Sequence, residues 1–260
     1  MTSVVAIRCT DGVVVGADSA ITFGAAGGHI GTIEQHTSQK LRIIDESIIV
    51  AGTGDLGMMQ RFARAIEKAN ARGDFSQIVD AIEYGKMLSR IGHIDFAETH
   101  LNKFDFSAFV AFTAGGEASL CEIDGGSGFQ PEIKEPSDLW YVSAGAGQAI
   151  TDPFLALLRE AFWVDGPPNL RGGIFTALWA LTHVCEINTG GIGGPIKMAV
   201  LEKPKNGQPS LAHFLSTAEL DEHKDAVQAA VKHLGQFKLI LNGQIETETV
   251  PLAAANSAKP

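Results

Sequence analysis

The sequence predicts an α+β fold in four layers, an αββα sandwich of two stacked β-sheets with a helical layer outside each. Three observations lead there. Short strand-like runs occur at the start, middle and end of the chain. Between them lie two pairs of segments with apolar residues at helical spacing, and strands do not alternate singly with helices as a parallel sheet would require. The 260 residues, 45% of them hydrophobic, can bury a sizeable core. With no internal repeat and no long polar linker, one domain over residues 1–260 is expected.

The elements follow in order. SVVAIRCTDGVVVGAD reads as a hairpin turning at Asp11-Gly12, and LRIIDESIIVAGTG adds two short strands around Asp45. LGMMQRFARAIEKANAR and SQIVDAIEYGKMLSRIGHIDFAETHL carry the 3–4 spacing of two helices that would cover one sheet face. FSAFVAFTAG, ASLCEID and LWYVSAG return to sheet, separated by Gly-rich and Pro-containing turns. QAITDPFLALLREAFW and GGIFTALWALTHVCEIN form the second helix pair, followed by strands at KMAVLEK and LAHFL and a polar helix near ELDEHKDAVQAAVKHLG. A C-terminal extension begins at about residue 203, and the tail from about residue 252, LAAANSAKP, has the composition of a disordered segment.

Composition narrows the function. Thirty acidic residues against twenty basic ones give a net charge of -10, which repels phosphate backbones and anionic membranes. Neither nucleic acid nor membrane is expected as a partner. Cys9, Cys121 and Cys185 are odd in number and scattered, which suggests no disulfide framework or cysteine metal site and favours a cytoplasmic setting. The first residues lack the regions of a signal peptide. His93, Glu98 and His100 in HIDFAETH lack zincin spacing, so no metal is assigned. GGIGGP lacks the Lys-Ser/Thr of a phosphate loop and reads as a turn between helix and strand.

Two local features carry chemistry. Gly52, Gly54 and Gly57 in AGTGDLG form a literal GxGxxG between a strand and a helix, the context of a dinucleotide-binding turn. Against an NAD(P) site, two strands and a DG hairpin precede the motif, and FSQIVDAIEY beyond the first helix reads as a second helix, so no second parallel strand presents an acid to a ribose. The glycines also fit a simple tight turn, or a turn whose backbone N–H groups stabilise an oxyanion. The second feature is Thr2. Removal of Met1 favours a small second residue and would leave a hydroxyl and a free amine on one residue. An α-amine titrates near about 7.7–8.0, so it can act as the general base for its own hydroxyl. Such a site needs a fixed cation and a carboxylate to hold it; Lys40 and Asp18 are the candidates.

TSVVAIRCTDGVVVGADSAIT followed by KLRIIDESIIVAGTG resembles the start of proteasome β-type subunits, members of the N-terminal-nucleophile hydrolases, most like a bacterial proteasome homologue. The resemblance implies a threonine peptidase with Thr2 as nucleophile, Asp18 and Lys40 as its charged pair, and Gly54 rather than Gly52 as oxyanion donor. It implies Glu186 and Thr189 at the positions of a family Asp and Ser, and Ile21, Thr22, Gly52 and Leu56 beside the substrate. The expected substrate is a peptide or unfolded protein. The expected assembly is a homo-oligomer of stacked rings, six or seven subunits each, with a possible AAA+ unfoldase partner and no cofactor. Three departures stand out. Ala146 in SAGAGQ replaces a family serine, with Ser143 a possible substitute. The segment between Thr22 and Lys40 is longer than usual and Gly-rich, which predicts an enlarged, mobile loop over 23–39. The C-terminal extension after KMAVLEK is longer than a minimal catalytic subunit needs, whereas the expected lack of a pro-segment before Thr2 resembles the bacterial ring peptidases. The competing functional readings are a non-catalytic ring subunit and an NAD(P)-binding enzyme using GTGDLG.

Overall fold

The computed structural model describes residues 2–24, 30–35, 40–97, 105–137, 139–187, 191–204 and 209–242. The chain opens with β1 (Ser3–Arg8) and β2 (Gly12–Ala17), paired antiparallel with Val4 opposite Ala17. Cys9 N–H closes the turn by donating to the Gly12 carbonyl at 2.7 Å. Their side chains alternate between two cores. Val4, Ala6, Val13, Val15 and Ala17 point into the layer between the sheets, while Val5, Ile7 and Val14 point outward against helices. Covered on both faces, these strands read as nearly continuous apolar runs instead of a clean alternation.

The first sheet has the order β10-β1-β2-β11-β12, with β10 Tyr141–Gly145, β11 Lys197–Glu202 and β12 Leu211–Phe214. The second runs β5-β6-β7-β8-β9, with β5 Leu41–Ile44, β6 Ile48–Gly54, β7 Phe106–Ala114, β8 Glu117–Asp124 and β9 Gln130–Ile133. All pairings are antiparallel. Their inner faces meet through Leu41, Ile49, Ala51, Phe109, Ala111 and Leu120 on one side and the inward residues of β1, β2 and β11 on the other.

Outside the second sheet lie α1 (Leu56–Ala71) and α2 (Ala81–Phe96). Met59, Phe62, Ile66 and Ala69 supply the buried stripe of α1, and Tyr84, Leu88 and Ile91 that of α2. Tyr84 is stacked between Phe75 and Phe112, with ring centroids 4.4 and 3.8 Å away. Each large apolar side chain fully buried here contributes about 1.5–3 kcal/mol, which makes this helix layer a main source of cohesion. Outside the first sheet lie α3 (Gln148–Phe162) and α4 (Leu170–Ile187), and α5 (Thr217–Leu241) packs over them through Val227 and Ala230 against Leu158 and Trp179. That extra cover explains why α4 is buried over most of its circumference.

The four layers expected from sequence are present, with four differences in detail. Helix α2 starts at Ala81, not near Ser76, because Asp80 caps it by accepting from Glu83 N–H at 3.0 Å. The short edge strand β9 has Pro131 within it and gave no strand signal. Helix α5 runs six residues past the expected stretch, to Leu241. Finally, the segment expected as one long loop contains a two-stranded hairpin, β3 (Ala20–Gly24) with β4 (Ile30–Gln35), its register shifting between Thr22 and Gly24. Residues 25–29 and 36–39 of the expected mobile loop, and the tail from 252, lie outside the described residues.

Candidate active site

Thr2 stands at the open end of the sandwich, one residue before β1. By the alternation that sends Val4 and Ala6 inward, it continues the inter-sheet side, and it is partly exposed. Its carbonyl accepts from Gly147 N–H at 3.4 Å. The next residue, Ser3, is buried and tied to Asp18 in both directions: Ser3 N–H donates to Asp18 Oδ1 at 2.9 Å, and Asp18 N–H donates to the Ser3 carbonyl at 3.2 Å.

Asp18 follows the last residue of β2 and its side chain is fully buried. Such a carboxylate is tolerable only if its lone pairs are used. They are. Oδ1 accepts from Ser3 N–H and from Lys40 Nζ at 2.7 Å, while Oδ2 accepts from Ala20 N–H and Gly193 N–H, each at 3.2 Å. Lys40, just ahead of β5, is buried as well, with 7% of its side chain exposed. Burial pushes its ammonium pKa below the usual lysine range, opposed by the charge and hydrogen bond of Asp18 and by Cys185.

The glycine loop closes the other side. Gly52 N–H donates to the Lys40 carbonyl at 3.2 Å, so it is committed to the sheet. Asp55 N–H points the opposite way, to the Asp105 carbonyl at 2.7 Å. Alternation along the strand therefore turns the Gly54 N–H to the same edge as that of Gly52, beyond the residue where β5 begins. Gly54 has φ +94°, and a side chain there would run into the Asp105 carbonyl, so only glycine fits. Asp55 then caps α1 by accepting from Met58 N–H at 2.9 Å. Because β6 has antiparallel neighbours on both sides, the loop lacks the parallel βαβ setting of a dinucleotide site.

Other sequence candidates fall at varying distances from this centre. Ile21 and Thr22 lie on β3, opposite Glu34 and Ile33, two and three residues beyond Ser19. Leu56 is exposed at the start of α1. Glu186 is exposed on the last turn of α4, where with Cys185 it lines an open groove of about 800 Å³ against α5. Thr189 lies outside the described residues. Ser143 points to the α3 side: its hydroxyl bonds Thr151 Oγ1 at 2.6 Å and the Asp152 carboxylate, so it does not stand in for the hydroxyl missing at Ala146. Among the weak motifs, His93 packs edge-on against Phe129, while His100 and Glu98 lie outside the described residues.

Two contributors gave no catalytic signal in the sequence. Gly193, in the turn from α4 to β11, gives its N–H to Asp18 and accepts at its carbonyl from Ser19 and Ala20 N–H groups. Cys185 lies within electrostatic reach of the charged pair: its thiol is pushed up to about 11, first by burial, then by Asp18, with Lys40 opposing. Neither could be read from spacing, since both come from a segment about 170 residues away from Asp18.

Residues 1–126 match the family model for proteasome subunits. No curated protein matches the chain. Among solved structures, Anbu (ancestral beta-subunit) from Yersinia bercovieri aligns with a TM-score of 0.65 at 15% identity, over 96% of this chain and 100% of that one. At that identity the likeness speaks for the fold. The chain therefore resembles proteasome subunits in sequence over residues 1–126, and it has the Anbu-type fold over nearly its whole length.

Proposed function

We propose that the chain is a threonine-type peptidase, with Thr2 as an N-terminal nucleophile once Met1 has been removed. The observation that carries this reading is the buried Asp18–Lys40 pair, bonded to the backbone of the residue next to Thr2. Two desolvated charges are a poor way to stabilise a fold, and a device that fixes a cation beside a hydroxyl makes use of them.

In the proposed reaction Thr2 Oγ attacks the carbonyl carbon of a peptide bond while the Thr2 α-amine takes the hydroxyl proton. The carbonyl oxygen gains the negative charge and receives the Gly54 N–H. The C–N bond then breaks, the leaving amine takes the proton from the α-ammonium, and an ester on Thr2 remains. Water attacks that ester with the same amine as base and frees the acid. Lys40, held by Asp18, supplies a fixed positive field through both steps. Ile21, Thr22, Gly52 and Leu56 would border the bound peptide, and Glu186 and Thr189 would act at the rim.

The reading extends to assembly. Stacked rings of identical subunits, fed with unfolded protein by an AAA+ unfoldase in the cytoplasm, fit a family whose members enclose their sites. Support comes from the exposed Leu157 and Phe162 on α3 and Ile187 on α4, apolar surface suited to a neighbouring subunit. A second reading, a ring subunit with an idle Thr2, draws on Ala146 in place of the family serine.

Intact mass and a peptide epoxyketone separate the two. That reagent reacts with the hydroxyl and the amine of one terminal residue and closes a ring, which an internal threonine cannot do. A chain beginning at Thr2 is expected to gain one inhibitor mass, located on Thr2, and Thr2→Ala to gain none. A chain verified to begin at Thr2 that takes no adduct would favour the idle subunit.

A further inference from the structure

The hydroxyl missing at Ala146 raises the question of what else reaches the Thr2 amine. The inward face of β6 is aliphatic at Ile49 and Ala51, and the next inward position is Thr53, between the two glycines of the loop. Thr53 is 8% exposed, yet among the described residues its hydroxyl has no hydrogen-bond partner. Its methyl group packs on Gly145. The point where a Gly145 side chain would begin lies 3.1 Å from Thr53 Cγ2 and 2.9 Å from the Thr2 carbonyl carbon, so Thr53, Gly145 and Thr2 meet at one spot. Gly145, at φ +95°, is the residue immediately before Ala146.

Among the described residues the fully buried hydroxyls without a partner are those of Ser3, Ser19 and Thr113, so the Thr53 oxygen, which is not one of them, keeps an edge open to solvent and free to take a partner there. From this juxtaposition we infer that Thr53 is a positioning residue for the proposed nucleophile, its hydroxyl bonding the Thr2 α-amine or a water on it in place of the side chain absent at Ala146. This rests on the reading of Thr2 as a terminal nucleophile. Thr53 exchanges no proton in the reaction; it orients the amine that does. The strand β6 brings it in from the second sheet, whereas residue 146 follows β10 of the first, so the two hydroxyls would approach the amine from opposite walls.

The rate of epoxyketone labelling on full-length chain verified to begin at Thr2 tests the inference. Thr53→Val keeps the shape and removes the hydroxyl; it is expected to slow labelling about threefold to tenfold, the worth of one neutral hydrogen bond. Thr53→Ser keeps the hydroxyl and is expected to label at close to the wild-type rate. Adding Ala146→Ser to Thr53→Val should recover the lost rate, which a purely structural role of Thr53 would not allow. Unchanged thermal midpoints would show that the variants fold alike. A Thr53→Val chain labelling as fast as wild type, a Thr53→Ser chain as slow as Thr53→Val, or no recovery by Ala146→Ser would overturn the inference alone. A wild type that takes no adduct would overturn the peptidase reading, and this inference with it.

Discussion

Replacing Asp18 by Asn is expected to be the most damaging near-isosteric change in the chain. At 2.7 Å and an effective dielectric of about 20, the Asp18–Lys40 attraction is about 6 kcal/mol before desolvation is subtracted. For Lys40 desolvation prevails, since its pKa is lowered in spite of Asp18. The pair is therefore no net stabiliser, but losing one member leaves the other charge buried, a change that typically costs about 3–5 kcal/mol. The amide adds a second penalty. Asp18 accepts from four donors across two oxygens, and Asn replaces one oxygen with a donor that faces N–H groups or the ammonium. Urea unfolding should thus show Asp18→Asn less stable than wild type by at least about 3 kcal/mol at neutral pH. Lys40→Met, which leaves Asp18 its three backbone donors, should lose clearly less. The pH dependence has a definite sign. A lysine whose folded pKa lies below its unfolded 10.5 binds fewer protons in the native state across that window, so stability rises with pH there. Without Asp18 the window widens downward, and the deficit of Asp18→Asn should shrink as pH rises. A variant within 1 kcal/mol of wild type at neutral pH would refute the placement of Asp18 as the common acceptor.

Two further predictions follow from neighbouring geometry. With its thiol pushed up to about 11, Cys185 should be alkylated by iodoacetamide slowly near neutral pH and faster toward pH 11. Asp18→Asn should accelerate it and Lys40→Met retard it; mass spectrometry of the labelled peptide reads both, and equal rates in all three chains would remove the electrostatic link. At the β5–β6 turn, Asp45 and Glu46 both adopt positive φ, 45° and 52°, where glycine is preferred. Glu46→Gly is expected to stabilise the fold by about 0.5–1 kcal/mol, the relief of left-handed strain less the entropy of an added glycine; a lowered urea midpoint would count against that account. Asp45 is best left in place, because it accepts from Asn70 Nδ2 at 2.7 Å.

What the sequence made legible was what local spacing controls. Thr2, Asp18 and Lys40 sit at the ends of short strands, where a motif of fixed length sets position, and the structure does join Asp18 to Lys40 and to Ser3. The layers were legible because strand and helix periodicities differ. Ser76 was misread as helical because FSQIVDAIEY carries apolar residues at compatible spacing, and only the Asp80 cap decides where α2 begins. The β3–β4 hairpin was hidden among glycines, and β9 is four residues long with a proline. The commitments of Ser143 to Thr151 and Asp152 and of Gly193 to Asp18 depend on which way a chain turns in space, which spacing does not encode.

The family match ends at residue 126, yet the site does not. Within the first sheet β1 is flanked by β10 and β2 by β11, and both flanking strands come from the second half of the chain. The fourth donor to Asp18, Gly193 N–H, comes from 175 residues downstream, and the Thr2 carbonyl is held by Gly147. If residues 1–126 stood alone, β1 and β2 would keep their hairpin bonds and lose their partners on both outer edges, exposing unpaired N–H and C=O groups and the apolar residues that α3 and α4 cover. Asp18 would lose one of its four bonds, and nothing would fix the backbone at Thr2 from the α3 side. The recognisable half thus carries the groups proposed to react, while their positions relative to one another depend on the half in which sequence similarity has faded. That division accounts for a fold retained across nearly the whole chain at 15% identity: strand pairing and layer packing can survive the replacement of most side chains, whereas a four-bonded carboxylate tolerates almost none at its own position.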